Sequence, residues 1–416
     1  MKRQASLAVI FVTIVIDVIG IGLVFPIVPK LVEEILGGRT ANAAMVYGWL
    51  IATYSLMQFI FSPVMGALSD RFGRRPIILI SLIGLALDYL ILTFADSILW
   101  LIAARVVGGA LSASISTASA YIADVSPPEK RAQSFALIGV AFGIGFIAGP
   151  FLGGLLGEYG TRLPFIAGIG LSLGAAIFAF FFLPESLKPE NRRSFHWKDA
   201  NPVGAFAIIT RYPAVLALVS SFVFANLAER MLESIWVLYA GYRFAWGPAE
   251  VGLSFAAVGV LFVISQGFIV RIVVPRLGEW RVITWGLIFG AIAFVLYGFA
   301  TQGWMMYAIA VLHILGWSTA GPAIQSLATK AVPANEQGLL QGVINSVVTA
   351  TGIVGAPIAA SAFGYFIGPH APFIFPGVSF IIGAFLFLVA LAITLRVRAR
   401  MPPTEKIALS EAGAIP

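Results

Sequence analysis

The chain predicts an all-α polytopic membrane protein, with twelve transmembrane helices arranged as two pseudo-symmetric six-helix bundles. Three observations carry that expectation: a composition unable to cover a water-facing surface, a succession of twelve apolar spans, and a repeat at half the chain length. Of 416 residues, 59% are hydrophobic and 11% charged, against roughly 25% charged in a soluble domain; the mean hydropathy is +0.96. The solvent such a chain expects is lipid. There are no cysteines, which excludes disulfides, thiolate metal sites and a cysteine nucleophile. His196, His313 and His370 are dispersed, and no nucleophile–base pair, phosphate loop or metal-ligand spacing appears. Neither an enzyme nor a bound metal or cofactor is expected. The net charge of +7 does not point to nucleic acid, because the basic residues sit in short loops between apolar spans.

A membrane-crossing helix needs about 20 mostly apolar residues. The first span, 6–29, follows Met1-Lys2-Arg3 as a signal peptide would. It outruns the roughly 7–15 apolar residues of such a segment and holds Asp17, so it reads as a retained helix. The second, 46–68, ends in the charged turn "GALSDRFGRRP" (66–76). Spans 76–95 and 98–123 are parted by Asp96, and 133–156 opens after "PPEKR". The sixth, 163–183, stops at "LPES". The longest charged interval, 185–213, is followed by 214–239, 249–270, 282–300, 303–328, 338–362 and 373–395. The chain thus divides into an N-terminal bundle (1–184), a cytoplasmic linker (185–213), a C-terminal bundle (214–395) and a polar cytoplasmic tail (396–416).

Orientation follows from basic residues. One side of the spans carries only Lys30, Arg39, Arg162 and Arg243, and Arg105 and Arg230 lie within spans. All the remaining Lys and Arg fall on the other side, which is therefore expected to be cytoplasmic, with both termini there. The halves also echo each other. "PPEKRAQSFALIGVAFGIGFIAGP" (127–150) matches "PANEQGLLQGVINSVVTATGIVGAP" (333–357) in character, and "DRFGRR" (70–75) matches "PRLGEW" (275–280). Repeated six-helix halves place a substrate site near the membrane midplane and alternate access by rocking.

Ionisable groups at membrane depth cost about 2.5–3.5 kcal/mol each on insertion scales, so they face a cavity and act. Those found are Asp17, Asp88, Arg105, Glu229, Arg230, Glu233 and the titratable His313. A rise of 1.5 Å per residue puts Asp17, Asp88 and Arg105 at roughly 16, 18 and 20 Å above the inner face, at one level. Glu229 and Glu233, at i and i+4, share a helix face. An acid in such a place can hold a proton when open to one side and lose it when open to the other. A purely structural use of these charges, pairing helices together, is the alternative, and for His313 it is the simpler one. In "GIGFIAGPFLGG" (143–154), Gly145, Gly149 and Gly153 share one face that lets another helix come close. Pro150 permits a bend there. A bent helix of this kind is expected at the interface between the halves.

These residues resemble the major facilitator superfamily. "GALSDRFGRRP" is similar to its loop between the second and third helices. "RVVGGA" (105–110) is similar to its fourth-helix motif, and "GIGFIAGPFLGG" to the fifth-helix motif of its antiporters. "DVIGIGLVFPIVP" (17–29), "MQFIFSPVMGALSDRFGRRP" (57–76), "LPES" (183–186) and "LGEWR" (277–281) resemble the tetracycline-resistance-type drug:proton antiporters in particular.

The resemblance implies the major facilitator fold and assigns roles. Asp17 and Asp88 recognise substrate and cation, Arg105 couples protons, and Gln58 and Gln266 are polar cavity positions. Glu229, Glu233 and His313 complete the candidate cavity. Gly66, Asp70, Arg71, Gly73, Arg74, Arg75 and Asp124 form a cytoplasmic gate, and Gly145, Gly149, Pro150, Gly153 and Gly154 the antiporter motif. Asp70 is expected at the N-terminal end of a helix from the other half, the eleventh near Gly338, and Arg74 or Arg75 is expected on Asp124. Two departures stand out. The helix-9 aspartate of the tetracycline exporters is matched here by Gly290, and helix 7 carries the charged "LAERMLES" (227–234). Coupling or substrate contact is therefore expected to involve helix 7, and tetracycline is not the expected natural substrate.

The function expected is proton-coupled efflux of amphiphilic, drug-like or antibiotic compounds by alternating access, driven by the proton gradient without a cofactor. The partners expected are the substrate, protons and the bilayer, with the protein acting as a monomer in a bacterial inner membrane. A symporter importing a small metabolite on the same fold is the alternative, against which the helix-5 glycine–proline motif argues. A non-transporting receptor or scaffold is a third reading, with no feature of its own in support.

Overall fold

A computed structural model describes residues 2–127, 130–192, 212–333 and 337–400. Most of the expected linker, with His196, and most of the tail lie outside them. Among the described residues there are twelve helices long and apolar enough to cross a membrane and no strand. They are α1 (Ser6–Ile35), α2 (Thr40–Phe72), α3 (Arg74–Phe94), α4 (Ile98–Val125), α5 (Ser134–Tyr159) and α6 (Leu163–Phe182). The second set is α7 (Pro213–Phe244), α8 (Pro248–Leu277), α9 (Glu279–Phe299), α10 (Gly303–Lys330), α11 (Leu340–Ile367) and α12 (Val378–Ala399).

The expected spans are all present, with shifted ends. The last begins at Val378 rather than 373, because "GPHAPFIFP" (368–376) holds three prolines that cannot continue a helical ladder. The fourth, expected to be continuous, is two segments, Ile98–Leu111 and Ser114–Val125. The eighth contains a wide π turn over Ser265–Ile269. Both irregularities lie at polar residues, where side chains compete for backbone groups, and π turns of this kind are frequent at functional sites.

The repeat read in the sequence is present in the packing. In the first half α1 lies on α4, α5 and α6, and α3 on α4 and α6. In the second, α7 lies on α10, α11 and α12, and α9 on α10 and α12. The junctions repeat as well. A single glycine separates α2 from α3 and α8 from α9, Gly73 at φ +108° and Gly278 at φ +77°. Only glycine takes that region without strain.

By contacts the chain forms two compact units. The first is Met1–Arg39, Trp49–Pro202 and Trp246–Gly259; the second is Thr40–Gly48, Val203–Ala245 and Val260–Pro416. Lipid is as apolar as leucine, so packing inside each unit relies on small residues that let backbones meet. In the first unit Gly145, Gly149 and Gly153 of α5 close on Val18, Ile19, Gly22 and Leu23 of α1. The face of Gly145, Gly149 and Gly153 is thus taken by α1 of the same half, while the helix itself also meets α8 of the other half, where a bent helix was expected. Gly154 instead meets Pro248 and Gly252 at the start of α8, also within that unit. In the second unit, Gly48 of α2 lies against Ala356, Pro357 and Ala360 of α11.

A Cβ on Gly153 would collide with the Leu23 carbonyl, whereas one on Gly170 of α6 meets nothing within 4 Å. Overpacking costs about 1–3 kcal/mol. Gly153→Leu is therefore expected to lower the thermal midpoint and the monodisperse fraction on size exclusion. Gly170→Leu is expected to change neither.

Two of the four basic residues on the sparsely charged side have structural work. Arg162 donates to the carbonyls of Thr93 (2.9 Å) and Ala95 (3.1 Å) at the end of α3. Arg243 donates to Ala300 (3.1 Å) just past α9. Each places a cation at the negative end of a helix, on carbonyls that have no partner within it.

Candidate functional site

In the first unit the break in α4 organises the polar groups. At Ser112 and Ala113 the helix opens, and the hydroxyls on either side turn to different partners. Ser112 receives hydrogen bonds from the Tyr54 hydroxyl (2.9 Å) and the Gln58 amide (3.2 Å) of α2. Ser114 donates to Asp17 Oδ2 at 2.6 Å. Asp17 is 2% exposed, and its Oδ1 has no partner. Two turns earlier in α4, Arg105 grips both oxygens of Asp88 at 2.8 and 2.7 Å. Its guanidinium also lies 5.6 Å from the Tyr54 ring. Gly108 makes room for this pair, since a Cβ there would press on the Asp88 carboxyl. The three ionisable groups expected at one level thus divide: Asp88 and Arg105 pair, and Asp17 rests on a serine.

The second unit has a different arrangement. Glu229 of α7 and His313 of α10 meet at 2.8 Å, 7% and 4% exposed. The imidazole stands edge-on to Phe294 and Tyr297 of α9, with centroids 5.4 and 5.9 Å away. Arg230 pairs with Glu233 at 2.6 Å, so the i and i+4 acids do not act together. Gln266, in the π turn of α8, donates to the Ser318 carbonyl at 3.0 Å, beside a Ser265–Ser318 hydroxyl contact. At Gly290 a Cβ would lie 2.8 Å from the Phe387 ring. The position is packed with an aromatic and has no room for an acid. An apolar crevice of about 420 Å³ between α8, α9 and α10, lined by residues such as Val273, Val282 and Trp285, includes none of the predicted site residues.

The expected gate residues form a cluster at the α2–α3 junction. Arg74 bonds Asp70 (2.6 Å), Asp124 (3.2 Å) and the Ser69 hydroxyl (2.9 Å). The Asp124 contact agrees with expectation. Asp70, however, is engaged by Arg74 one turn on, inside its own unit. Arg75 donates to the Phe180 carbonyl and lies over its ring. Arg71 lies 5.0 Å from the Phe72 ring, and Gly66 has open space around it.

Sequence reading placed Glu185 in the linker, yet it caps α3, accepting from the backbone N–H groups of Arg74 (2.8 Å) and Arg75 (3.2 Å). Ser186 donates to Asp124 (2.9 Å) and Tyr121 to the Pro184 carbonyl (2.9 Å). The "LPES" segment is therefore part of the cluster. Its charge alone hid it, because an acid after a span reads as loop.

The second repeat has the same clamp with the signs exchanged. Where Arg74 opens α3 and meets Asp124 at the end of α4, Glu279 opens α9 and meets Lys330 at the end of α10, at 3.0 Å to both oxygens. Each charge there suits its helix end. In the first repeat the signs oppose the helix ends, and Glu185 supplies the acid that α3 lacks. Glu279→Lys alone is expected to destabilise the protein by about 1 kcal/mol. The exchange Glu279→Lys with Lys330→Glu should recover the pairing but not the helix-end contribution. A double-mutant thermal cycle reads the difference.

Comparison with known proteins is consistent with these features. Residues 10–356 match the Major Facilitator Superfamily. The chain is 37% identical over 392 residues to the class C tetracycline resistance protein of Escherichia coli, covering 94% of this chain and 96% of that one. It is 29% identical to Multidrug resistance protein 2 of Bacillus subtilis, covering 93% and 96%. Among solved structures, a bacterial homologue of the human lysosomal transporter Spinster superposes with a TM-score of 0.74 at 15% identity, over 96% of this chain and 97% of that one.

Proposed function

Because the chain belongs to the major facilitator superfamily, we propose that it exports amphiphilic, drug-like compounds in exchange for protons, with Asp17 as the residue for which proton and substrate compete. It is a multi-pass membrane transporter and not an enzyme. The observation that carries the reading is the state of Asp17: a carboxyl at membrane depth, held by one serine, with its second oxygen unpartnered. A buried ionised carboxylate in that condition is costly. It is relieved either by a proton or by a donor or cation on the substrate, and not by both at once. Exchange follows from that exclusion.

Asp88 and Arg105 cancel each other's charge and hold α3 to α4 beside the site. Gln58 and Tyr54, fixed on Ser112, present amide and phenol groups from α2. The direction is supported by relatives named for tetracycline and multidrug resistance. The ligand need not be tetracycline, because Gly290 and the charged α7 change the second unit. The proton gradient is the only energy source required. In this reading the protein works as a monomer in a bacterial inner membrane, with both termini in the cytoplasm.

Proteoliposomes loaded with a pH indicator and challenged with a panel including ethidium and tetracycline test the proposal. At least one compound should drive proton movement opposite to its own. Asp17→Asn, while still monodisperse, should lower that movement at least tenfold. Exchange left intact by both Asp17→Asn and Glu229→Gln would overturn the site assignment.

A further inference from the structure

We propose that each unit carries its own proton, so that two protons move per cycle, the second on the Glu229–His313 pair. The inference rests on the exchange reading above and adds a second site to it.

The charges at membrane depth are the same in both units although the residues are not repeat copies. The first unit has two acids and one arginine, Asp17, Asp88 and Arg105; the second has Glu229, Glu233 and Arg230. In each, the arginine is spent on one acid, Arg105 on Asp88 at 2.7 Å and Arg230 on Glu233 at 2.6 Å. In each, one carboxyl is left over and it is buried, Asp17 in the first and Glu229 in the second. An unneutralised carboxylate in that setting draws a proton.

What differs is the partner of the leftover acid. Ser114 cannot take a proton from Asp17 and leaves one of its oxygens open, where a substrate can compete. His313 can itself hold the proton, its Nε2 lying 2.8 Å from Glu229 Oε1. The pair therefore needs no substrate group to be neutralised. A proton taken from water on one side is shared between carboxylate oxygen and ring nitrogen, and is released to water on the other. No bond other than that to the proton forms or breaks.

The surroundings contain few competing charges. From α7 the pair is faced by Arg230 and Glu233, already joined to each other. From α9 it is faced by the Tyr297 ring. Neither α11 nor the stretch 378–395 of α12 has an Asp, Glu, His, Lys or Arg. Around Asp17 the ionisable neighbours are Tyr54, Tyr89 and the Asp88–Arg105 pair, and α6 brings none.

Two measurements test this. In proteoliposomes clamped at zero membrane potential, the ethidium gradient that just balances a pH gradient reports the proton count. It is about a hundredfold per pH unit for two protons and about tenfold for one. The wild type should balance at the first ratio, and Glu229→Gln at the second. A wild type already at the tenfold ratio, or Glu229→Gln without effect on it, overturns the proposal.

Where a single substitution does not fold, Glu229→Gln with His313→Leu removes both partners together and reads the same quantity. If ethidium is not exchanged at all, the exchange reading has failed for that probe, and equilibrium proton uptake by the purified protein in micelles still decides the second site. Asp17→Asn and the paired change Glu229→Gln with His313→Leu should each bind at least one proton fewer across the acid-to-neutral range, and all three changes together at least two fewer. A fixed Glu229–His313 ion pair neither gains nor loses a proton over that range, so it would leave uptake unchanged when both partners are replaced, and that result overturns the inference.

Discussion

Arg105→Ala is expected to remove most of the folded protein, and Asp88→Asn added to it is expected to return much of that protein without returning transport. Asp88 is 1% exposed, and its two oxygens both rest on the Arg105 guanidinium. Removing the cation strands an acid in a low-dielectric interior, at a cost of about 3–5 kcal/mol. Membrane insertion does not escape this cost, because lipid offers no water to the bare carboxylate. An asparagine at 88 removes the stranded charge and can hydrogen-bond locally, which is why the double variant should fold better than the single one. Transport should not follow, because the Arg105 cation, its stacking on Tyr54 and its share in neutralising the first unit are all gone. Thermal stability and ethidium exchange, measured on the same preparations, separate the two effects. Equal loss in single and double variants would mean that Arg105 matters to folding through Tyr54 rather than through Asp88.

The twelve spans, the repeat and the intramembrane charges were legible because each depends on composition over a whole helix or on a charge standing in an apolar run. Asp17, Asp88, Arg105, Glu229 and His313 all lie in buried polar contacts for that reason. The partners were far less legible. Ser112 and Ser114 matter through a helix break of two residues, and serine in a membrane helix has no periodic signature. The only hint was the polar run "SASISTAS" (112–119). The pairing of Glu229 with His313 rather than with Glu233 depends on how α7 and α10 are rotated, which spacing along one helix does not determine. Arg74, four residues on, takes one oxygen of Asp70, a local pairing that the charge order of "DRFGRR" allows. The helix-5 glycines were correctly read as a close-packing face, but a face does not name its partner, and α1 took it.

Gly73→Ala is expected to be the most damaging single-carbon change at the α2–α3 junction. Two penalties coincide there. The backbone sits at φ +108°, outside the region that a residue with a Cβ adopts without strain, and that Cβ would run into the Glu185 carboxylate. Strain of the first kind costs about 1–3 kcal/mol. Relief of the second would require Glu185 to withdraw from the Arg74 and Arg75 N–H groups it caps, which costs about 1 kcal/mol more. Glu185→Ala tests the partition. Alone it should lose only the cap, lowering the thermal midpoint by less than Gly73→Ala does. Combined with Gly73→Ala it should recover the collision but not the backbone strain, so the double variant should be less stable than Glu185→Ala and no worse than Gly73→Ala. Gly278→Ala provides the comparison, since its φ is also positive and a Cβ there meets nothing within 4 Å. If Gly278→Ala destabilises as much as Gly73→Ala, backbone conformation alone governs these one-residue junctions. A smaller effect at 278 would show that the Glu185 carboxylate, absent from the second repeat, makes the first junction the more tightly specified.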